Sequence, residues 1–292
     1  MSKTRQDARN VYSQCNLRQS ALVRDLLDRS SITKGDLVYD IGAGRGIITH
    51  ELIQRQTQVV AIENDPLLCS VLKHRFDKCK RVEVRCEDFL EHTLPTRARY
   101  KVFANIPFAA TSDIVRRLYL SSNPPRDCYL VLQKEAADRF QGLPRETLFS
   151  LLLKPWFKTA VIHRFERADF CPVPRVDVVF LRTTRNEPPA IPWQLSESWR
   201  DFIAFAFGRG KVSLRKALDK VITYHQFRRL SIEVDFGVNA KPTGLGFEQW
   251  LALFRFFTKY AGPSNKKCTH KAFLRLTEQQ LLLPKQHRTH VR

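Results

Sequence analysis

Residues 105–108, NIPF, follow a hydrophobic run and combine an amide, a rigid turn and an aromatic ring. They include no charged or nucleophilic side chain, so they do not indicate acid–base or covalent catalysis. They suit an exocyclic adenine amine, whose lone pair is conjugated into the ring and gains little from a base. The side-chain oxygen of Asn105 and the carbonyl of Ile106 could accept its two N–H bonds and aim the lone pair at a methyl donor. On its own, the motif would be better explained as a capped turn beside a core phenylalanine.

A glycine-rich stretch, residues 39–46 (YDIGAGRG), favours the functional interpretation. Gly42, Gly44 and Gly46 follow a predicted strand and open a helix, where glycines let a ligand approach the backbone. Their G-x-G-x-G spacing, preceded by Asp40, differs from the G-x-G-x-x-G fingerprint of dinucleotide sites. A tight strand-to-helix turn would also use these glycines, so the motif needs support from the rest of the chain.

Two acidic residues at neighbouring strand ends give that support. Glu63 ends the next predicted strand, a place where an acid binds ribose hydroxyls, and Asp88 follows the third strand, where it could accept from an adenine amine. Glycines and acids in this order predict S-adenosylmethionine rather than NAD. With that cofactor beside Asn105, Phe108 would stack on a base taken out of its helix.

These residues need a sheet to bring them together. From Leu37 to about Gln133, short apolar runs alternate with amphipathic stretches, which predicts a doubly wound, mostly parallel α/β sheet of the Rossmann type. Residues 159–165 and 175–182 could add an antiparallel edge. Helices are predicted at 45–55, 65–76, 111–120, 147–156, 195–207, 211–222, 225–231 and 247–259.

The chain is predicted to hold a methyltransferase-like α/β domain, a small all-helical domain and a tail. The proline-rich stretch 183–192 marks the linker, so the domains are 1–182 and 193–262, the second a candidate RNA-binding domain. Residues 263–292 form a basic tail that we expect to be flexible, apart from one short helix.

Composition indicates the partner and the compartment. Lys and Arg number 49 against 29 Asp and Glu, a net charge of +20, which favours a nucleic acid partner. No apolar stretch is long enough to span a membrane and the first residues lack a signal sequence, so we expect a cytoplasmic protein without a membrane partner. The seven cysteines lack zinc-site spacing, so we expect reduced, mostly structural thiols and no metal. We expect a monomer.

The sequence resembles the erythromycin-resistance (Erm) type of rRNA adenine-N6 methyltransferase, over roughly residues 10–260. The resemblance rests on the motifs SQCNL, DIGAGRG, VVAIEND, CEDFL, NIPF, FCPVPRVDVVFLR and GFEQWLALFRFF, in that order. It implies methyl transfer from S-adenosylmethionine to N6 of one adenine in 23S rRNA. It also implies resistance to macrolide, lincosamide and streptogramin B antibiotics.

The resemblance also implies roles for particular residues. Phe108 and Phe170 would sandwich the target adenine, with Asn105 at the catalytic motif. The family motif S-Q-N-F reads S-Q-C-N here, so Cys15 stands where asparagine contacts the cofactor; either Asn16 substitutes from one position away or that contact is lost. The residues implied or predicted to contact the cofactor are Asn16, Leu17, Gly42, Gly44, Glu63, Asp88 and Asn105.

Three alternatives stay open. A housekeeping small-subunit rRNA adenine dimethyltransferase would share this fold and motif set, although that family tends to N-L-P-Y. A basic RNA-binding factor that has kept the fold and lost transfer is a second alternative, and a DNA adenine methyltransferase is a third. The sequence does not distinguish mono- from dimethylation.

Overall fold

The computed structural model describes residues 15–210 and 212–282. Within them the chain forms two compact units. The first holds the residues up to Ala137 together with Lys158–Arg185, and the second holds Asp138–Phe157 together with the residues from Asn186 onward. The boundary after Arg185 lies beside the linker predicted at 183–192, whereas residues 138–157 group with the second unit although they precede that linker.

The first unit is built on a seven-stranded sheet of order β4-β3-β2-β5-β6-β9-β7. Pairing is parallel from β4 through β6, and β9 runs antiparallel to β6. A separate pair joins β1 to β8. The strands are β1 Asn16–Leu17, β2 Leu37–Ile41, β3 Gln58–Glu63, β4 Val82–Cys86, β5 Lys101–Asn105, β6 Asp127–Gln133, β7 Phe157–Arg164, β8 Phe170–Cys171 and β9 Val178–Arg185.

Strand order sets the place of the site. From β2 the chain adds β3 and β4 on one side, and β5 and β6 on the other, so the order reverses at β2. Loops leaving the carboxyl ends of β2 and β5 diverge at such a point and leave a crevice. The predicted site residues Gly42, Glu63, Asp88 and Asn105 all lie at or just beyond carboxyl ends of strands β2 to β5.

Helices cover this sheet, namely α1 Ser20–Asp28, α2 Ile47–Gln54, α3 Pro66–Phe76 and α4 Thr111–Tyr119. Helix α5, Lys134–Gln141, follows β6 and contains the division between the two units after Ala137. Helix α3 begins sharply because the Asp65 carboxylate accepts the N–H groups of Leu67 and Leu68, and Pro66 occupies the first turn. Buried residues of α1 pack with those of the sheet, such as Val38 and Phe103, in one hydrophobic cluster.

The second unit is helical and its core is aromatic. Its helices are α6 Leu148–Leu153, α7 Ser196–Phe207, α8 Leu214–Ala217, α9 Tyr224–Glu233, α10 Phe247–Tyr260, α11 Pro263–Thr269 and α12 Ala272–Leu282. Trp199 and Trp250 are fully buried, and each indole N–H donates to a main-chain carbonyl, of Leu151 and Pro242 respectively. Ring contacts among Trp199, Phe202 and Phe254 join α7 to α10.

Several expectations differ from this structure. Residues 263–282 of the predicted flexible tail form α11 and α12, because the carboxylate of buried Asp201 accepts the N–H groups of Lys271 and Phe273 and holds the start of α12 against α7. The predicted helix 211–222 is reduced to the short α8, and α1 and α5 were not predicted. The rest of the tail, 283–292, lies outside the described residues.

The expectation of reduced thiols is wrong for one pair. Cys69 of α3 and Cys86 of β4 form a disulfide with their Cα atoms 5.7 Å apart, because the helix packs beside the strand. Cys15, Cys79, Cys128, Cys171 and Cys268 are free. Within the described part of the chain, no helix has both the length and the apolar composition needed to cross a membrane.

Candidate active site

The glycine motif forms the turn between β2 and α2. Gly42, Gly44 and Gly46 have φ angles of 71°, 57° and 79°, a region that side-chain-bearing residues rarely adopt. At Gly46 a Cβ atom would stand 2.7 Å from Phe76 Cε2 and 2.8 Å from Leu72 Cδ2 of α3. Glycine is therefore required here both by the backbone conformation and by the close packing of the helix.

Glu63 fixes this turn from the end of β3. Its Oε2 accepts the N–H of Gly44 at 2.8 Å and its Oε1 accepts the N–H of Asp65 at 2.9 Å. The side chain is buried. Each carboxylate oxygen has a second lone pair, so the group retains acceptor capacity for ligand hydroxyls while it holds the two loops.

Asp40 lies fully buried at the end of β2 and is only half satisfied. Thr49 Oγ donates to its Oδ2 at 2.6 Å, whereas its Oδ1 has no hydrogen-bond partner among residues 15–210 and 212–282. Burial raises the pKa of Asp40 to about 7, and the charge of Glu63 adds to this rise. A buried carboxylate oxygen without a partner, beside a glycine turn, is suited to a polar or cationic ligand group.

The catalytic motif predicted at 105–108 lies directly against the glycine turn. A Cβ atom on Gly42 would stand 3.4 Å from Pro107 Cδ and 3.7 Å from the main-chain oxygen of Asn105. The Pro107 carbonyl accepts the N–H of Ala110 at 3.0 Å, which begins a short 3-10 turn at Phe108–Ala110. The structure thus brings the predicted cofactor loop and the predicted catalytic motif together at one sheet edge.

Asn105 is held in a defined orientation. Its Nδ2 donates to the main-chain oxygen of Cys15 at 2.7 Å. Because a carbonyl only accepts hydrogen bonds, the amide nitrogen must face Cys15 and Oδ1 must face away from it. Asn105 is half-buried at the carboxyl end of β5.

The two predicted stacking rings lie in different surroundings. Phe108 is half-buried and packs on the edge of the main hydrophobic cluster. Phe170 is fully buried in that cluster, with its ring 5.2 Å from that of Phe165, and pairs through β8 with Leu17 of β1. Because Phe170 is not exposed in this structure, its stacking role stays a prediction.

The remaining predicted residues also lie at this edge. Asp88 is exposed and its Oδ1 accepts the N–H of Leu90 at 2.8 Å. Asn16 is exposed, and its Oδ1 lies 3.5 Å from the position of a Cβ atom on Gly44. Leu17 is buried in the hydrophobic cluster. The Asn16 side chain thus lies against the glycine turn, whereas Cys15 contributes its main-chain carbonyl to Asn105.

This donor and acceptor set fits S-adenosylmethionine. The left-handed glycine turn leaves backbone accessible, Asp40 leaves an unpaired buried acceptor for a cationic group, and Glu63 and Asp88 lie at successive strand ends. Sequence reasoning selected these side chains by type and position, and their contacts with the cofactor stay predictions. It missed the main-chain carbonyl of Cys15, since no side-chain pattern signals a contact made by the backbone.

A group of cations lies on the surface of the same unit, in and after α3. We call Lys73, Arg75, Lys78, Lys80, Arg81 and Arg85 the α3 basic patch; all six are exposed. Arg75 donates to the main-chain oxygen of Arg45, in the glycine motif, at 2.7 Å. The patch therefore adjoins the candidate cofactor loop.

Comparisons with known proteins agree with this geometry. The sequence matches the family described as ribosomal RNA adenine dimethylase over residues 5–259. It is 26% identical over 260 residues to an rRNA adenine N-6-methyltransferase of Bacillus licheniformis, covering 88% of this chain and 89% of that protein. It is 30% identical over 260 residues to the ribosomal RNA small subunit methyltransferase A of Thermosynechococcus vestitus, covering 84% and 95%.

The fold is also that of a solved relative. The crystal structure of the 23S rRNA methyltransferase ErmE superposes with a TM-score of 0.73 at 24% identity, covering 83% of this chain and 99% of that one. The mostly parallel sheet with flanking helices and a helical carboxyl-terminal region is therefore confirmed as a Rossmann-like methyltransferase fold. The chain belongs to the ribosomal RNA adenine dimethylase family and is an S-adenosylmethionine-dependent rRNA adenine-N6 methyltransferase.

Proposed function

We propose that this enzyme methylates N6 of a single adenine in 23S rRNA and thereby gives resistance to macrolide, lincosamide and streptogramin B antibiotics. The observation that carries the transfer chemistry is the orientation of Asn105, whose amide nitrogen is bound to Cys15 and whose Oδ1 faces away from it. An acceptor held in this way can bind the adenine amine without any base.

The chain's own residues would position the amine. Asn105 Oδ1 accepts one N–H of the target amine and the Ile106 carbonyl accepts the other, which directs the lone pair toward the methyl group supplied by S-adenosylmethionine. We assign Ile106 because the next carbonyl, of Pro107, already accepts from Ala110 and Thr111. Phe108 stacks on the flipped base.

The cofactor would lie along the carboxyl edge of the sheet. Glu63 accepts from the ribose hydroxyls with its remaining lone pairs, and Asp88 accepts from the adenine amine of the cofactor. The Asn16 side chain borders it beside Gly44, Leu17 follows in the same strand, and Gly42 allows the close approach to the catalytic motif.

RNA would be held by cations on both units. The α3 basic patch adjoins the glycine loop, and residues 182–262 carry 13 Lys and Arg against 7 Asp and Glu. Such charges bind the phosphate backbone without reading sequence, so they position the RNA rather than choose the adenine. We place this activity in the cytoplasm, where rRNA is made and assembled.

Two features favour 23S over small-subunit rRNA. The catalytic motif is NIPF rather than N-L-P-Y, and residues 246–257, GFEQWLALFRFF, continue the Erm resemblance into the second unit. The named 23S rRNA methyltransferase shares the fold over 83% of this chain. The 30% identity to a small-subunit enzyme keeps the small-subunit substrate as the second candidate.

The deciding experiment is methyl transfer from labelled S-adenosylmethionine to protein-free 23S rRNA, 16S rRNA and duplex DNA in parallel. Mass spectrometry of digested RNA identifies the base and counts its methyl groups. Label on N6 of one 23S adenine supports the proposal, and expression in a susceptible host should then raise the inhibitory concentration of a macrolide.

The other outcomes are equally informative. Label on 16S rRNA alone would replace the proposal with the housekeeping function. Label on neither RNA, in protein that binds the cofactor by calorimetry, would overturn the proposal and favour a binding factor. Asn105→Ala serves as the matched negative control, because it removes the proposed acceptor from the same chain.

A further inference from the structure

Residues 15–17, which we call the 15–17 strap, contact three parts of the candidate site within three consecutive positions. The Cys15 main-chain oxygen accepts from Asn105 Nδ2 at 2.7 Å. Asn16 Oδ1 lies 3.5 Å from the position of a Cβ atom on Gly44, in the cofactor loop. Leu17 pairs with Phe170 across the β1–β8 ladder.

The first of these contacts determines which way the catalytic amide points. The two ends of an asparagine amide are similar in size, so packing alone distinguishes them poorly. The Cys15 carbonyl distinguishes them electrostatically, since a flipped amide would place two oxygens 2.7 Å apart with no proton between them. With the nitrogen bound, Oδ1 is directed away from the strap and is available to the substrate amine.

The carbonyl itself is fixed by packing on both sides. Cys15 and Leu17 are each only 5% exposed and belong to the same hydrophobic cluster as Phe170. The N–H of Arg18 donates to the Asp169 oxygen at 3.0 Å, which extends the β1–β8 pairing by one bond. The strap is therefore anchored by two buried side chains and a short ladder.

We propose that the 15–17 strap is a positioning element for catalysis, in which the main-chain carbonyl of Cys15 orients the amide of Asn105. This inference rests on the proposed role of Asn105 in methyl transfer and adds the group that makes that role possible. Because the contact with Asn105 is made by the main chain, the Cys15 side chain needs only to fill its buried site for this role.

A substitution at Asn105 tests the orientation directly. Asn105→Asp replaces the amide nitrogen with an oxygen, and only the protonated carboxyl can donate to the Cys15 carbonyl while its other oxygen faces the amine. The ratio of variant to parent kcat should therefore be highest at acidic pH and fall at least about tenfold as the carboxyl ionises, over the range from about pH 5.5 to 8.5. Taking the ratio at each pH removes titrations that both proteins share, including those of Asp40 and Cys15, whose pKa values burial raises.

Other pH profiles would overturn the inference. A ratio that is flat or rises with pH means that no donor to Cys15 is needed. A folded Asn105→Asp variant that binds the cofactor and is inactive at every pH would overturn it as well, since a carboxyl that can donate to Cys15 would then not restore a working acceptor. Circular dichroism establishes folding, and if this variant does not fold, the strap variant described next decides alone.

A second test loosens the strap while leaving Asn105 in place. Leu17→Ala removes an anchor of the strap, and Leu27→Ala removes a leucine of the same cluster that lies in α1, outside the strap. Both should lower thermal stability. The kcat of Leu17→Ala should be about tenfold or more below that of Leu27→Ala, because a misplaced catalytic group loses much of its effect.

The pair of variants separates the two proposals. Equal losses of kcat in Leu17→Ala and Leu27→Ala would show that the strap is merely structural and would overturn its positioning role. In that case the parent enzyme would still transfer methyl groups, so the proposed function would stand. A parent enzyme that methylates no RNA would instead overturn the proposed function itself.

Discussion

Two buried aspartates, one in each unit, show how differently the two regions use polar groups. Asp201, in the helical unit, has both oxygens occupied by the N–H groups of Lys271 and Phe273. Asp40, at the sheet edge, has one oxygen bound to Thr49 and one with no partner in the described part of the chain, and burial raises its pKa to about 7. Both side chains are buried, so burial alone does not separate them.

The difference teaches which region is built for stability and which for binding. A satisfied buried carboxylate stabilises the fold, because its hydrogen bonds offset the cost of removing it from water. A half-satisfied one costs free energy in the unliganded protein and is retained where a ligand completes it. The same contrast separates Asn105, whose Oδ1 faces away from its Cys15 contact, from Trp199, whose only polar hydrogen is bound to Leu151.

The largest expected effect is that of removing the proposed catalytic amide. Asn105→Ala should lower kcat by at least about a thousandfold, equivalent to about 4 kcal/mol, because it removes an acceptor that acts on the amine in transfer. Cofactor affinity should stay within about tenfold of the parent. Single-turnover transfer and calorimetric binding measure the two quantities. Parallel losses in both would contradict a catalytic role and indicate a cofactor or folding role.

The next prediction is that a substitution in the core stabilises the protein, whereas most core substitutions destabilise it. Asp40→Asn should stabilise the unliganded protein, because the raised pKa means that ionising Asp40 costs stability. The carboxyl's contribution is fully present below its unfolded-state pKa and is lost as pH rises through about 7. The stability of the variant relative to the parent should grow by about 1.4 kcal/mol per pH unit between about pH 4, the usual pKa of an unfolded aspartate, and about pH 7. The difference should reach about 4 kcal/mol at most.

Urea unfolding of the unliganded protein at a series of pH values checks this expectation. Asp88→Asn removes a carboxylate from the same sheet edge but from an exposed position, and is the matched control. A stability difference that is independent of pH would show that Asp40 is satisfied in the unliganded protein. The comparison with Asp201 would then fail.

Asp201 should behave in the opposite way. Asp201→Ala leaves the N–H groups of Lys271 and Phe273 without their acceptor and should destabilise the protein by about 2 kcal/mol. Asp201→Asn keeps one acceptor oxygen and should lose less. Thermal unfolding measures both variants. If Asp201→Ala is as stable as the parent, the hydrogen bonds between Asp201 and the start of α12 do not contribute to stability, and they do not hold α12 in place.

Much of the fold was predictable because the local sequence patterns match the strands that form the sheet. Residues 37–41 and 58–63 are mostly apolar runs with turn residues after them, which is typical of buried parallel strands. Since parallel strands share one carboxyl edge, placing Gly42, Glu63 and Asn105 at strand ends was enough to place them together. The antiparallel strand β9 was also expected, although the sequence did not show that it lies between β6 and β7.

The rest depends on contacts that no local pattern signals. Strands β1 and β8 have two residues each, too short for a periodicity, and pair across more than 150 positions of the chain. The Cys69–Cys86 disulfide depends on how α3 packs beside β4. The burial of Phe170 follows from its pairing with Leu17, so its surroundings could not be inferred from its place before a Pro-x-Pro turn.

The last predictions concern the aromatic rings, and they extend the same comparison. Phe108 is half-buried at the sheet edge, whereas Phe202 is fully buried in the helical unit, where it stacks on Phe257 with ring centroids 4.8 Å apart. Phe108→Ala should raise the free-energy barrier to transfer by the contribution of one stacked base, about 1–3 kcal/mol. The unfolding midpoint should change little. Phe202→Ala should lower the midpoint, because it leaves a cavity.

A tyrosine at position 108 makes the test specific to stacking. Phe108→Tyr keeps the ring and adds a hydroxyl that a half-buried position can accommodate, so turnover should stay within about twofold of the parent if the ring only stacks. Turnover with 23S rRNA and thermal unfolding measure the three variants. Equal turnover losses in the alanine and tyrosine variants at position 108 would exclude stacking as the role of this ring. A stability loss in Phe108→Ala as large as in Phe202→Ala would instead make it a core residue like those of the helical unit.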